Sequence, residues 1–285
     1  MRLLPPQSAE VELGLCDAQL ARALPSREAD RLAAAIPSTR GSAESLRRIF
    51  WWGTALADVA KARDARVRGE AGRFNLAFAM FDTIVDDHAS LTVQLATALD
   101  PGRLRARLIR PSSELTALST TVAELEPLIR LFDSALADAG RRLAAAPQRV
   151  ARLAELLQRM YESELRLSSD PFPAKTLPVI FIGELTGDDP ATALLFEQLA
   201  EFCWLWDDWL DLADDLARFR PNAFLDRRRG VAALIGARRL VAPRASQRAI
   251  ASRLAAAVCG GLDAAAAISE SSLERTTALY YGLLA

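Results

Sequence analysis

The stretch at residues 202–215, FCWLWDDWLDLADD, leaves the chain that carries it few folds to adopt. Its spacing places Asp207, Asp208, Asp211 and Asp215 in one narrow stripe of a helix turning by roughly 100° per residue. Trp204 lies in the same stripe one turn nearer the N-terminus, while Phe202, Trp206 and Trp209 project from the other side and read as core. A helix that is apolar on one side and acidic on the other buries its apolar side in protein. Its acids are then expected to face an internal, water-accessible cavity. Converging carboxylates repel one another unless a cation lies among them, and a divalent metal is the natural one.

The rest of the chain supplies the material for such a cavity. Ala, Leu, Arg and Glu dominate nearly every segment and strand-like alternation is absent, which is helix-forming composition. Hydrophobic residues make up 51% and charged residues 25%, ordinary for a globular protein. A formal net charge of −1 offers no global attraction to nucleic acid or to an anionic membrane. Cys16, Cys203 and Cys259 form no CxxC pair, which argues against zinc and against a disulfide scaffold. The opening MRLLPPQSAE has no apolar signal core, and no apolar run approaches the ~18 residues of a membrane span. The expectation is a soluble, cytoplasmic protein with no membrane span and no nucleic-acid partner.

Read in order, the first forty residues give two short helices, the second opened by Ser26, and Ser42 starts a longer one to about 61. One helix is expected over 68–97 and another over 111–139, with Gly140 as its C-terminal signal. Pro147 begins a helix to about 167, SSDPFPAK is a loop, and 175–185 is helical. Asp189 caps the long acidic helix, started by Pro190. Helices over 243–258 and 262–284 close the chain. No repeat or low-complexity linker divides it, so residues 1–285 are expected to form one all-α domain, with 1–41 as N-terminal helices packing on the bundle.

The helix expected over 68–97 carries a second acid group, Asp82, Asp86 and Asp87. Asp82 and Asp86 share a face at i,i+4, and Asn75, Phe78 and Ala79 lie on that face toward the N-terminus; Asp87 points elsewhere. One isolated acid motif reads as a solvated helix face. Two, each embedded in apolar helix, point instead to opposed carboxylate walls at the mouth of an apolar cavity. Such walls suit Mg²⁺, which takes oxygen ligands and completes its shell with water or phosphate oxygens. The expected ligand is a diphosphate carrying an apolar group. A di-iron carboxylate bundle needs Glu-x-x-His pairs, and the single histidine, His88, has Val85 three residues before it.

With these residues in view, the chain resembles the class I isoprenoid synthases: trans-prenyltransferases, squalene and phytoene synthases, and terpene cyclases. DTIVDD at 82–87 looks like the first aspartate-rich motif, in the spaced form of squalene synthases. DDWLD at 207–211 matches the second DDxxD of trans-prenyltransferases. Lys175–Thr176, an apolar helix, Gly187 and the acidic helix follow the family's order. The resemblance covers roughly residues 45–230. It implies a single large all-α bundle of the isoprenoid synthase type around a central apolar pocket, with three Mg²⁺ ions bridging both motifs to a polyprenyl diphosphate. Asp82, Asp86, Asp207 and Asp211 would be the catalytic metal ligands and Lys175 would pair with diphosphate oxygens. Asp208 and Asp215 would support the metal, and homodimers are common in the family.

The departures select among reactions. Chain-elongating enzymes hold a second substrate through an early Gly-Gly-Lys-Arg-like segment and an Arg pair after the first motif. Here HASLTVQL follows Asp87, with no basic residue before Arg103, and Trp204 replaces the usual Gln ahead of the second motif. The expectation is therefore a terpene synthase that ionises and cyclises one linear polyprenyl diphosphate. Trp204 and Phe78 would offer π faces to the cation, and Asn75 would be a further substrate contact. The alternatives are a prenyltransferase, coupling prenyl units or prenylating another acceptor, and a non-enzymatic helical binding protein. Arg218, Arg220 and the arginines at 227–229 either close over the diphosphate or form a solvated loop, the latter preferred for 227–229. Arg275 and Tyr280 resemble, at loose spacing, an Arg–Tyr pair that senses diphosphate in some terpene cyclases. Tyr161, Glu162 and Glu164 sit on a helix that could line the pocket but read as ordinary helix-surface groups, and His88 reads as a hydrogen-bonded neighbour of the motif rather than a base.

Overall fold

A computed structural model of the chain describes residues 17–35, 43–60, 64–165, 172–211, 222 and 244–284. Every regular element among them is helical. Residues 17–23 precede α1 (Ser26–Ala35), α2 (Ala43–Val59), α3 (Ala65–Asp87), α4 (Ala89–Ala98) and α5 (Pro101–Ile109). After a 3-10 turn at Glu114–Thr116 come α6 (Glu126–Arg142), α7 (Pro147–Glu164), α8 (Phe172–Thr186), α9 (Pro190–Leu210), α10 (Arg244–Ile268) and α11 (Glu270–Leu284). The all-α expectation holds.

One apolar cluster runs through these helices from Leu24 to Tyr280. At its centre is α8, which packs against α2, α3, α7 and α9. Its sequence explains the place: Leu177, Val179, Phe181, Ile182 and Leu185 point all round the helix and are all buried. A helix apolar on every side has no stable position except inside. Helices α2 and α3 meet closely at Gly53, where a Cβ would lie 2.5 Å from the Ala71 carbonyl oxygen and 2.6 Å from Asn75 Cβ. Gly53→Ala therefore has to push the two helices apart, and a loss of about 1–3 kcal/mol is expected. Thermal unfolding followed by circular dichroism reads this; an unchanged midpoint would mean that the helices slide past each other freely.

Several element boundaries differ from the sequence reading. The helix expected over 68–97 breaks at His88, with φ −132° and ψ 63°, so Asp86 lies in the last turn of α3. The helix expected from 111 starts only at Glu126. Its predecessor is held as a loop by tertiary bonds: Arg107 donates to the carbonyls of Pro111 and Ser113, and Asp133 accepts from the Leu118 N–H. Gly140 is not a helix terminus but a contact point inside α6, where a Cβ would overlap the Leu108 carbonyl. The break expected between 258 and 262 falls instead at Ser269, whose hydroxyl accepts from the Ser272 N–H. Gly260 and Gly261 stay helical and make room for Gln198 and Tyr280.

One stretch of α10, Arg248–Ile268, is long and apolar enough by length and composition to cross a bilayer, with 28% of its most apolar window buried. This corrects the expectation that no stretch approaches that length. Alanines between isolated charges such as Arg253 and Asp263 keep the mean hydropathy high without forming an unbroken apolar run. In the structure α10 packs against α9 and α11.

Candidate functional site

The acids gather where three helices end. Asp86 lies in the last turn of α3, with Asp82 one turn before it; Glu164 is the last residue of α7; Asp207 and Asp208 lie in the last turn of α9. None of these three helices has a basic residue in its last turn. The C-terminal end of a helix carries roughly half a negative charge, so Asp86, Glu164, Asp207 and Asp208 sit where the helix itself opposes them, at a cost of about 0.3–1 kcal/mol per group. By contrast α6 ends on Arg141 and Arg142, in accord with its dipole. Helix α8 reaches the same place by its opposite end, and Lys175 in its first turns carries the ammonium that faces the acids.

Lys175 pairs with the acids of α9. Its Nζ donates to Asp208 Oδ1 at 2.5 Å and to Asp207 Oδ2 at 3.4 Å. Its charge also acts on Glu164, which in turn is hydrogen-bonded to Asp82 and repelled by Asp82 and Asp86. Burial first, and then these two aspartates, push the Glu164 carboxyl up to about 8. The Asp207 side chain is 54% exposed, yet surrounding protein desolvates it enough to push its carboxyl up, with Lys175 pulling it back and Asp211 adding to the rise. Burial and then Asp207 push the neighbouring Cys203 thiol up to about 12, so it stays protonated.

Below Asp82 the wall turns apolar. Phe78, one turn deeper on α3, stacks on Phe74 at 5.8 Å and meets the edge of Phe181 at 5.3 Å and Phe132 at 5.9 Å. Phe74, Phe132 and Phe181 are buried, and Phe78 keeps part of its surface open.

The other sequence candidates fall in varied places. Asp211 is the residue that ends α9, with its N–H bonded to the Asp207 carbonyl, so the expected single stripe stops there. Asp215, Arg218, Arg220 and the arginines at 227–229 lie outside the described residues, and so does the Asp87 side chain. Asp208 is 1% exposed, with Lys175 on one carboxylate oxygen and Trp204 Nε1 at 3.1 Å on the other. Trp204 itself packs with Leu205 and Ile250 and carries the Arg253 guanidinium over its ring at 5.0 Å. Asn75 is turned to α2, donating to the Ile49 carbonyl at 2.7 Å. Phe202 and Trp206 stack in the core region as expected, but Trp209, read as core, is 53% exposed near the end of α9. Arg275 and Tyr280 do not act together: Arg275 binds the Asp58 carbonyl and carboxylate, and Tyr280 donates to the Ala257 carbonyl. His88 has a buried Nε2 with no hydrogen-bond partner.

Glu164, read from the sequence as a helix-surface group, is instead partly buried beside Asp82. Its signal was present, because Leu153, Leu157 and Met160 form the buried stripe of α7 and Glu164 continues it at the next position. An acid on a core-facing stripe is an exception that needs a partner.

All the donors here are carboxylate oxygens, the ligands that hard cations prefer, and their mutual repulsion is what a cation relieves. Among the described residues no group of three or more His, Cys, Asp or Glu forms a ready-made metal cage. Mg²⁺ needs none, since it is usually held by one or two carboxylates and completed by substrate phosphate oxygens and water. The donor set thus fits Mg²⁺ in its chemistry.

A pH effect follows from Glu164. The folded protein keeps its proton at pH values where the unfolded chain, near its ordinary 4.5, has released it. The contribution of Glu164 to stability in the absence of divalent cations is therefore fully present below about pH 4.5 and is lost as pH rises toward about 8, with Asp207 contributing in the same direction. Glu164→Gln is expected to flatten this decline, by on the order of 1–3 kcal/mol. Urea midpoints measured across that range test it; parallel curves for the two proteins would rule it out.

Compared with protein-family models, with curated proteins and with solved structures, the chain matches none of the three.

Proposed function

We propose that this protein is a Mg²⁺-dependent class I terpene synthase that ionises one linear polyprenyl diphosphate and lets the resulting cation cyclise. The observation that carries the reading is the meeting of acid-bearing C-termini of α3, α7 and α9 around the ammonium of Lys175. So much like charge at the wrong end of three helices is a standing cost that a cation–diphosphate ligand removes.

In this reading Asp82, Asp86, Asp207 and Asp211 hold Mg²⁺ at the mouth. Bound there, Mg²⁺ supplies Lewis-acid neutralisation of the leaving diphosphate. Lys175 meets the diphosphate oxygens, and the N-terminal end of α8 adds its positive dipole to the same region. The phenylalanines below Asp82 would keep the prenyl chain dry, and Phe78, only partly buried, would supply a π contact to the developing allyl cation. Trp204 is less suited to that task than its sequence position suggests, because Arg253 already covers its ring.

The test is incubation with geranyl, farnesyl and geranylgeranyl diphosphates singly, with Mg²⁺, and analysis of the organic extract. A hydrocarbon or alcohol from one substrate alone supports the reading. Product formed only from mixtures replaces it with a prenyltransferase, and no diphosphate release under either condition leaves the helical binding protein.

A further inference from the structure

We propose that Asp208 is a positioning residue: it holds the Lys175 ammonium at the end of α9, within electrostatic reach of Glu164, ready for an arriving diphosphate, and leaves cation coordination to its neighbours. This rests on the reading of the site as one for Mg²⁺ and diphosphate. The two adjacent aspartates of the motif are divided by burial, Asp207 having its side chain 54% exposed and Asp208 only 1%. A hard cation that keeps its waters needs carboxylate oxygens with room around them. Asp208 has none to offer. One of its oxygens accepts from Lys175 Nζ at 2.5 Å and the other from Trp204 Nε1 at 3.1 Å.

The backbone of Asp208 is held as firmly as its side chain. Its carbonyl accepts from Asn222 Nδ2 at 2.6 Å, and Asn222 is 1% exposed. Trp204 is in turn fixed from α10, through packing on Ile250 and the overlying Arg253, whose guanidinium is paired with Glu201 at 2.6 Å. The result is a buried anchor at the foot of a flexible lysine. A lysine side chain left alone samples many rotamers, and ordering it at the moment of binding weakens the bond it forms. Held on Asp208 beforehand, the ammonium loses less freedom when a diphosphate arrives. Its weaker contact with Asp207, at 3.4 Å, can be given up to a cation without releasing the lysine.

The test compares the full-length protein with Asp208→Asn, Asp207→Asn, Lys175→Gln and the double variant Asp208→Asn/Lys175→Gln. Mn²⁺ binding without substrate is read by electron paramagnetic resonance, and inorganic pyrophosphate binding in saturating Mg²⁺ by calorimetry. Asp208→Asn is expected to leave Mn²⁺ affinity unchanged and to weaken pyrophosphate at least about 10-fold, as loss of an outer-shell partner does. Adding it to Lys175→Gln should cause no further loss, because both changes remove the same held charge. Asp207→Asn should weaken Mn²⁺ itself. Loss of Mn²⁺ in Asp208→Asn to the extent seen in Asp207→Asn, or additive losses of pyrophosphate, would overturn the assignment while leaving the site reading in place. If Asp208→Asn does not fold, Lys175→Gln decides: weaker pyrophosphate with undiminished Mn²⁺ supports the proposal, and unchanged pyrophosphate overturns it. A wild-type protein that binds neither probe overturns the proposal and the site reading together.

Discussion

Asp82→Ala and Asp207→Ala are each expected to lower turnover by at least about 10³-fold while leaving the helical fold intact. The two residues stand on different helices, one on α3 and one on α9, and neither is a core side chain. In the proposed reading, removing either takes away an oxygen that would face the cation, without opening a cavity. For Asp82 the expectation goes further. Its carboxylate raises the Glu164 proton affinity by repulsion and by a hydrogen bond, so its removal relieves strain that the folded state carries at neutral pH. Asp82→Ala should therefore be no less stable than the parent protein, and more stable near neutral pH in the absence of Mg²⁺. Loss of activity with gain of stability is the pattern of a site kept at the expense of the fold. Single-turnover assays with whichever prenyl diphosphate the parent protein consumes, paired with thermal melts, measure both. Full activity in both variants would remove the site assignment.

Arg142→Met is expected to destabilise the protein by about 3–5 kcal/mol. Arg142 ends α6 and reaches across to Glu70 on α3, with Nε and Nη2 at 2.9 and 2.7 Å from the same carboxylate oxygen. Its Nη2 also donates to the Leu185 carbonyl of α8 at 2.9 Å. Three helices are thus tied by one guanidinium, and the Glu70 side chain is only 3% exposed. Burial already pushes the Glu70 carboxyl up, with Arg142 and Arg73 pulling it back. Without Arg142 the carboxyl rises further, so the damage is small at low pH, where Glu70 is neutral, and grows as pH rises through its shifted range. Glu70→Gln in the Arg142→Met background should recover part of the loss, because a buried amide costs less than a buried unpaired charge. Urea unfolding of the single and double variants gives both numbers. An Arg142→Met protein of parental stability would show that Glu70 finds another partner.

Much of the fold was legible because its signals are local. The Asp189 side chain caps α9 by accepting from the Thr192 N–H, and Pro190 starts the helix, as read from the sequence. Pro147 likewise starts α7. The misreadings occurred where a residue type with one usual local meaning was used for a distant contact. Gly140 and the Gly260–Gly261 pair look like helix ends, but each makes room for a neighbouring element. Residues 111–125 have helix-compatible composition, yet Arg107 and Asp133 take their backbone groups from other helices and hold them as a loop. The break at His88 was hidden for a related reason, since nothing beside the acids marks the end of α3 in the sequence.

The candidate site divides in the same way. The i,i+4 pairing of Asp82 with Asp86 is a property of helical spacing, and so is the shared face of Asp207 and Asp211 up to the point where α9 ends. The apolar surroundings that mark these acids as unusual are also written in the chain itself. What the sequence by itself determined was therefore an all-helical protein with two acidic helix faces, for which a cation is the expected partner. Only the tertiary structure decided how those faces are joined. Lys175 bridges to both Asp207 and Asp208, Glu164 arrives from α7 against Asp82, and Asp208 is withdrawn into the protein while Asp207 stays open. Asn75 and Trp204, on the right faces by angle, are used to bind α2 and α10. The physical reason is range. Helical periodicity and capping act within a few residues and can be read along the chain. Burial, pairing of distant charges and the choice between two neighbouring aspartates depend on which helix comes to rest beside which, and that is set by the packing around α8.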